Sequence, residues 1–237
     1  MADLLAHLYG GFLRVDPRQP HWSDRDRMIL SKGHGVAILY AALAERGFFP
    51  VDELANYARD GSLLTSHPNH LVPGIEFSTG SLGHGLPVGC GLALFAQRRR
   101  APWRTVVLMS DGELDEGSNW EAFLFAAHHR LDNLLAIVDF NKIQSLGHVS
   151  AVMNLEPLAE KLRAFGWSVR EIDGHDHAAI GEALSELPAD VGRPTVIIAH
   201  TVKGKGVSFM EDRLKWHYQS PDSEQLAQAL RELDGPA

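Results

Sequence analysis

The chain has 237 residues and a formal net charge of −8, so no basic surface points to nucleic acid or an anionic membrane face. A single cysteine, Cys90, excludes an internal disulfide framework, and no apolar run reaches the length of a signal or membrane segment. The expectation is one α/β domain over residues 1–237, cytoplasmic, with a sizeable core and small-molecule partners.

In chain order, Ala2–Leu13 reads as helical, and Met28–Leu30 is a short apolar segment leading into Ser31-Lys32-Gly33-His34-Gly35 and a helix over Val36–Arg46. The stretch from Ser62 to Gly85 holds much of the glycine, proline, serine and histidine, yet keeps Ile75, Phe77 and Leu82 for burial. A long loop of that kind inside a compact domain is usually functional. Gly89 and Gly91 fit close helix contact, either at a subunit interface or within the chain. Arg98-Arg99-Arg100 ends an apolar helix, where cations complement the helix dipole.

Four segments read as buried strands: Thr105–Ser110, Leu134–Phe140, Trp167–Ile172 and Thr195–His200. Helical spacing over Asn119–Arg130, Leu155–Phe165 and His177–Leu187 alternates with them. That pattern predicts an α/β fold with an open, mostly parallel sheet and helices on both faces. Ligands of such sheets sit at the carboxyl ends of strands, just after Ser110, Phe140 and His200. Asp222–Leu233 reads as a capped amphipathic helix. Among the thirteen histidines, His128 and His129 read as surface residues, and His175-Asp176-His177 fits helix capping better than a metal site. Trp103, Trp120, Trp167 and Trp216 read as core or interface anchors.

The most informative stretch runs from Val106 to Gln144 and places Asp111 at the end of one strand and Asn141 at the end of the next. Adjacent parallel strands would bring both tips into one crevice. Gly112 lets a phosphate approach the backbone, and the helix beginning near Ser118 offers unpaired N–H groups to an anion. One carboxylate and one amide oxygen suit Mg2+, which takes hard oxygen ligands and shares them with phosphate and water.

Asp111-Gly112 followed about thirty residues later by Asn141 resembles the thiamine diphosphate fingerprint, with Ser110 standing where glycine is most frequent. Asp24–Gly35, the Ser66–Pro68 triplet, Ser78–Gly85, Asp173–Asp176 and His200–His217 resemble segments of the transketolase family, in order and over nearly the whole chain. The resemblance implies thiamine diphosphate and Mg2+ as cofactors. The metal would be held by Asp111, Asn141 and the Ile143 carbonyl, and the cofactor by Gly83, His84, Gly85, Gly112, Glu113, Asn141 and His34. It further implies His34, His67 and His217 as acid–base or sugar-binding groups, and Glu116 as a residue coupling the two active sites of a dimer. His84, where many relatives have glutamine, is either an extra proton donor or a hydrogen-bond replacement.

The same resemblance implies the N-terminal, pyrophosphate-binding subunit of a split transketolase. A C-terminal subunit would carry the pyrimidine-binding domain, in an α2β2 assembly acting on sugars or sugar phosphates. The Gly-His segment that usually opens the family's sequence would lie ahead of Met1, which implies a truncated start, a different substrate or a less effective enzyme. The rival expectations are a subunit of another thiamine diphosphate-dependent carboligase or dehydrogenase, and a noncatalytic cofactor-binding scaffold.

Overall fold

A computed structural model describes residues 1–235. Its centre is a sheet of five parallel strands in the order β1-β2-β3-β7-β6: β1 (Arg27–Leu30), β2 (Thr105–Ser110), β3 (Leu134–Phe140), β6 (Ser168–Asp173) and β7 (Thr195–His200). β3 is buried at all seven residues, as a strand covered on both faces must be. A two-stranded hairpin, β4 (Ile143–Gln144) and β5 (Gly147–His148), follows β3.

The helices α1 (Ala2–His7), α2 (Val36–Arg46), α3 (Gly85–Arg99), α4 (Gly117–His128), α5 (Val149–Val152), α6 (Leu158–Ala164), α7 (His177–Ser185) and α8 (Ser223–Leu233) complete the chain. Alternating strand side chains feed two cores. Val107, Met109, Ala136 and Val138 pack with Leu86, Phe123, Leu162 and Trp167 on the α3, α4 and α6 side. Val106, Leu108, Leu135 and Ile137 pack with Leu4, Leu43, Ile180 and Leu184 on the α1, α2 and α7 side. The period-2 alternation of strand side chains makes this division inevitable once both faces are covered. Parallel strands covered on both faces are what the alternation of β and α segments predicts.

Several boundaries differ from the sequence-based expectation. β6 begins one residue later, at Ser168, because the preceding Trp167 is drawn into the core, where its indole N–H donates to the Phe123 carbonyl at 2.9 Å. The short apolar segment at Met28–Leu30 is a full edge strand, paired in parallel with β2. The N-terminal helix is α-helical only to His7 and continues in wider π-helical turns through Leu8–Phe12. Among the described residues no helix is long and apolar enough to cross a membrane.

Candidate functional site

The parallel register sets Ser110 opposite Asp139, so the chain leaves two neighbouring strands at the same level and Asp111 and Asn141 face one crevice. A cavity of about 270 Å³ lies there, lined by both residues together with Gly112, Ile143, His34 and His217. Asp111 is 1% exposed. Its Oδ1 accepts the Gly112 N–H at 2.7 Å and its Oδ2 accepts the Lys142 N–H at 2.5 Å. Burial nevertheless pushes its pKa up to about 6, because two backbone bonds only partly replace water.

No salt bridge reaches Asp111 among the described residues. A hard divalent cation would supply the missing countercharge, and each carboxylate oxygen still has a free lone pair. Asn141 is locally fixed, its Oδ1 accepting the Ile143 N–H at 3.0 Å. Asp111, Asn141 and the Ile143 carbonyl are an all-oxygen set that fits Mg2+. A Cβ at Gly112 would come within 2.5 Å of Gln144 Cβ, so only glycine lets the chain pass between β2 and the hairpin.

Cations line the same cavity. Lys32 Nζ lies 2.6 Å from Asp139 Oδ2, and the Thr201 hydroxyl donates to Asp139 Oδ1 at 2.6 Å. Burial opposes ionisation of Asp139, but the Lys32 charge, the Met1 ammonium and the hydrogen bonds from Lys32 and Thr201 together outweigh it and hold the carboxyl well below the usual range. Lys203 is shifted below the ordinary lysine value by burial and by the like charge of Lys32. An ammonium group held under that pressure favours an anion such as a diphosphate beside it.

Two histidines, His34 and His217, line this cavity, and a third, His67, packs against His34 outside the lining. The His34 ring lies edge-on to His67 at 5.6 Å and to His217 at 5.5 Å, centroid to centroid. Burial, with His67 and Lys32 adding, lowers the His34 pKa. Burial, then Lys203, His34 and Lys32, brings His217 to about 4. Both are therefore neutral imidazoles near pH 7, each able to donate from one ring nitrogen and accept at the other.

Gly83, His84, Gly85, Glu113 and Glu116 stand apart from the cavity lining. Glu113 is fully buried and turned beneath the 79–85 loop. It accepts the Gly83 N–H at 2.9 Å and the Ser31 hydroxyl, and burial raises its pKa. Ser31 Oγ in turn accepts the Gly85 N–H at 3.1 Å, and the Ser118 hydroxyl donates to the Gly83 carbonyl at 2.7 Å. Gly83 has φ +84°, and a Cβ on it would strike Ser118 and Glu116. His84 and Glu116 are exposed at the surface of this chain.

Lys32, Asp139, Thr201 and Lys203 are the cavity residues that sequence reading passed over. The available signals were a charged residue, Asp139, inside an otherwise apolar strand, and lysines beside the two histidine-bearing segments. Asp176 caps α7 as expected, its Oδ1 accepting the Ala178 N–H at 2.8 Å.

Residues 1–234 match the family described as transketolase, thiamine diphosphate binding domain, and the chain belongs to that family. It is 43% identical over 235 residues to the 6-deoxy-6-sulfo-D-fructose transketolase subunit SqwG of Clostridium sp. (strain MSTE9), covering 99% of this chain and 86% of that protein. It is 42% identical to one of the subunits of the apulose-4-phosphate transketolase of Phocaeicola vulgatus, covering 98% and 82%. The solved transketolase of Campylobacter jejuni superposes with a TM-score of 0.89 at 31% identity, over 95% of this chain and 37% of that one. The chain thus spans under two fifths of that full-length transketolase, but most of each subunit relative.

Proposed function

We propose that this chain is the diphosphate-binding subunit of a two-subunit transketolase, moving a two-carbon ketol unit from a ketose to an aldose. The observation that carries this reading is that His34 and His217 line the cavity that holds Asp111 and Asn141, with His67 packed against His34 behind them. Asp111, Asn141 and the Ile143 carbonyl would hold Mg2+; Gly112 and Lys203 would take the diphosphate. Bound there, thiamine diphosphate supplies the carbon nucleophile and the electron sink. The protein's own task is to orient the sugar and move hydroxyl protons, for which neutral imidazoles at His34 and His217 are suited near pH 7.

The pyrimidine-binding domain is assigned to a second subunit, in a symmetric α2β2 assembly. The relatives named as transketolase subunits support that division. Their named substrates, a sulfonated fructose and a sugar phosphate, support sugars or sugar phosphates as substrates here.

The test is co-expression with the neighbouring reading frame, calorimetry with thiamine diphosphate and Mg2+, then a ketol-transfer assay. Transfer only in the pair, abolished by Asp111→Ala, is the expected result. Failure of both preparations, the chain alone and the pair, to bind the cofactor would sink the assignment.

A further inference from the structure

We propose that His175, braced by Asp3, is a positioning residue that clamps one wall of the cavity through the backbone N–H of Val202. The proposal builds on the reading of that cavity as the cofactor site. His175 lies outside it, in the turn between β6 and α7. The Val202 N–H donates to His175 Nε2 at 2.8 Å, so Nε2 must carry a lone pair. The neutral ring then has its proton on Nδ1, which faces Asp3 Oδ2 at 2.9 Å. Both ring nitrogens are committed, and the hydrogen bonds themselves select the tautomer.

The neighbouring glycine reinforces the grip. The Gly174 N–H donates to the His200 carbonyl at 2.8 Å, and a Cβ at Gly174 would come within 2.5 Å of Thr201 Cγ2. Gly174 and His175 together therefore hold residues 200–202 from one side. On the other side of that segment, the Thr201 hydroxyl fixes Asp139 and Asp139 holds Lys32. Thr201, Val202, Lys203 and Gly204 all line the cavity.

β7 ends at His200, and the Thr201 N–H still donates to the Phe140 carbonyl at 3.1 Å. Val202 is the first residue beyond that sheet-edge contact, so its hydrogen bond to His175 decides the direction in which the backbone leaves. Lys203 is the next residue, and its partly buried ammonium, repelled by Lys32, would relax outward if the backbone allowed. Helix capping does not explain His175, because Asp176 alone caps α7.

The test uses the purified chain and its pair with the second subunit. Amide hydrogen exchange is followed across residues 199–206 without any ligand, and thiamine diphosphate with Mg2+ is titrated calorimetrically. His175→Phe keeps the ring but removes both hydrogen bonds; it should speed exchange at residues 202–204 and weaken cofactor binding, each about tenfold. His175→Gln, whose amide oxygen can accept the Val202 N–H, should recover most of both, and Asp3→Ala should give a smaller change of the same kind. Unchanged exchange at 202–204 in His175→Phe would overturn the clamp, as would equal acceleration throughout the sheet or no recovery in His175→Gln. If His175→Phe does not fold, the contrast between Asp3→Ala and His175→Gln decides the matter by the same local exchange. Asp111→Ala separates the two ideas: unaltered cofactor binding there would remove the cofactor reading, while the exchange result still judges the clamp.

Discussion

His217 is surrounded by Lys203, His34 and Lys32, and burial with those neighbours brings it from 6.5 to about 4. The folded pKa is depressed, so the unfolded chain takes up a proton first as pH falls. The contribution is whole above pH 6.5 and is lost as pH falls towards about 4. Thermal melting of the ligand-free chain should therefore show a smaller drop between those pH values in His217→Asn than in the parent. Parallel melting curves would contradict it. Glu113 offers a second test, because its carboxylate is a hub for Ser31 and Gly83 with no exposure to water. Glu113→Ala should cost about 2–4 kcal/mol in urea unfolding, since buried donors lose their acceptor, and Glu113→Gln about 1 kcal/mol, since one oxygen remains. These interactions were not legible locally: Asp111-Gly112-Glu113 places the side chains in sequence, but whether Glu113 turns to the cavity or under the loop depends on Ser31, far away in the chain.

α3 shows how packing divides two glycines that look alike in the sequence. A Cβ at Gly89 would come within 2.5 Å of Val107 Cγ2 on the sheet, whereas nothing lies within 4 Å of one at Gly91. Gly89→Ala should destabilise by about 1–3 kcal/mol through overpacking. Gly91→Ala should stabilise by about 0.5–1 kcal/mol through helix propensity. Denaturant midpoints of the two variants, measured side by side, check the difference in sign. Strand ends were legible because a run of apolar residues stops where the sheet stops, as at Ser110, Phe140 and His200. The four-residue β1 was not, because so short a run has no period of its own and gains its identity from pairing with β2. The hairpin β4–β5 is shorter still, two residues a strand.

At the scale of the whole molecule, the order β1-β2-β3-β7-β6 brings Ser31, Asp111, Asn141 and Thr201 to one edge of the sheet, each just beyond a strand. The proposed division of labour predicts that light scattering of the co-expressed pair gives the mass of two copies of each chain. It also predicts no ketol transfer by this chain alone, since half of the site would stand on another subunit. A pair of lower mass that still transfers the ketol unit would contradict the assembly and leave the site reading intact.

The amino-acid sequence by itself determined the strand ends, the Asp111-Gly112 and Asn141 placement, and the segments carrying His34, His67 and His217. Each of these rests on short-range information: apolar periodicity, a turn dipeptide, or a motif a few residues long. Tertiary structure decided which three of the thirteen histidines come together. It also decided that Lys32 pairs with Asp139 while Lys203 takes no salt bridge among the described residues, and that His175 reaches Val202. Those contacts join residues far apart in the chain. Their geometry follows from strand order and loop packing, and their energies from burial, neither of which any local window of residues contains.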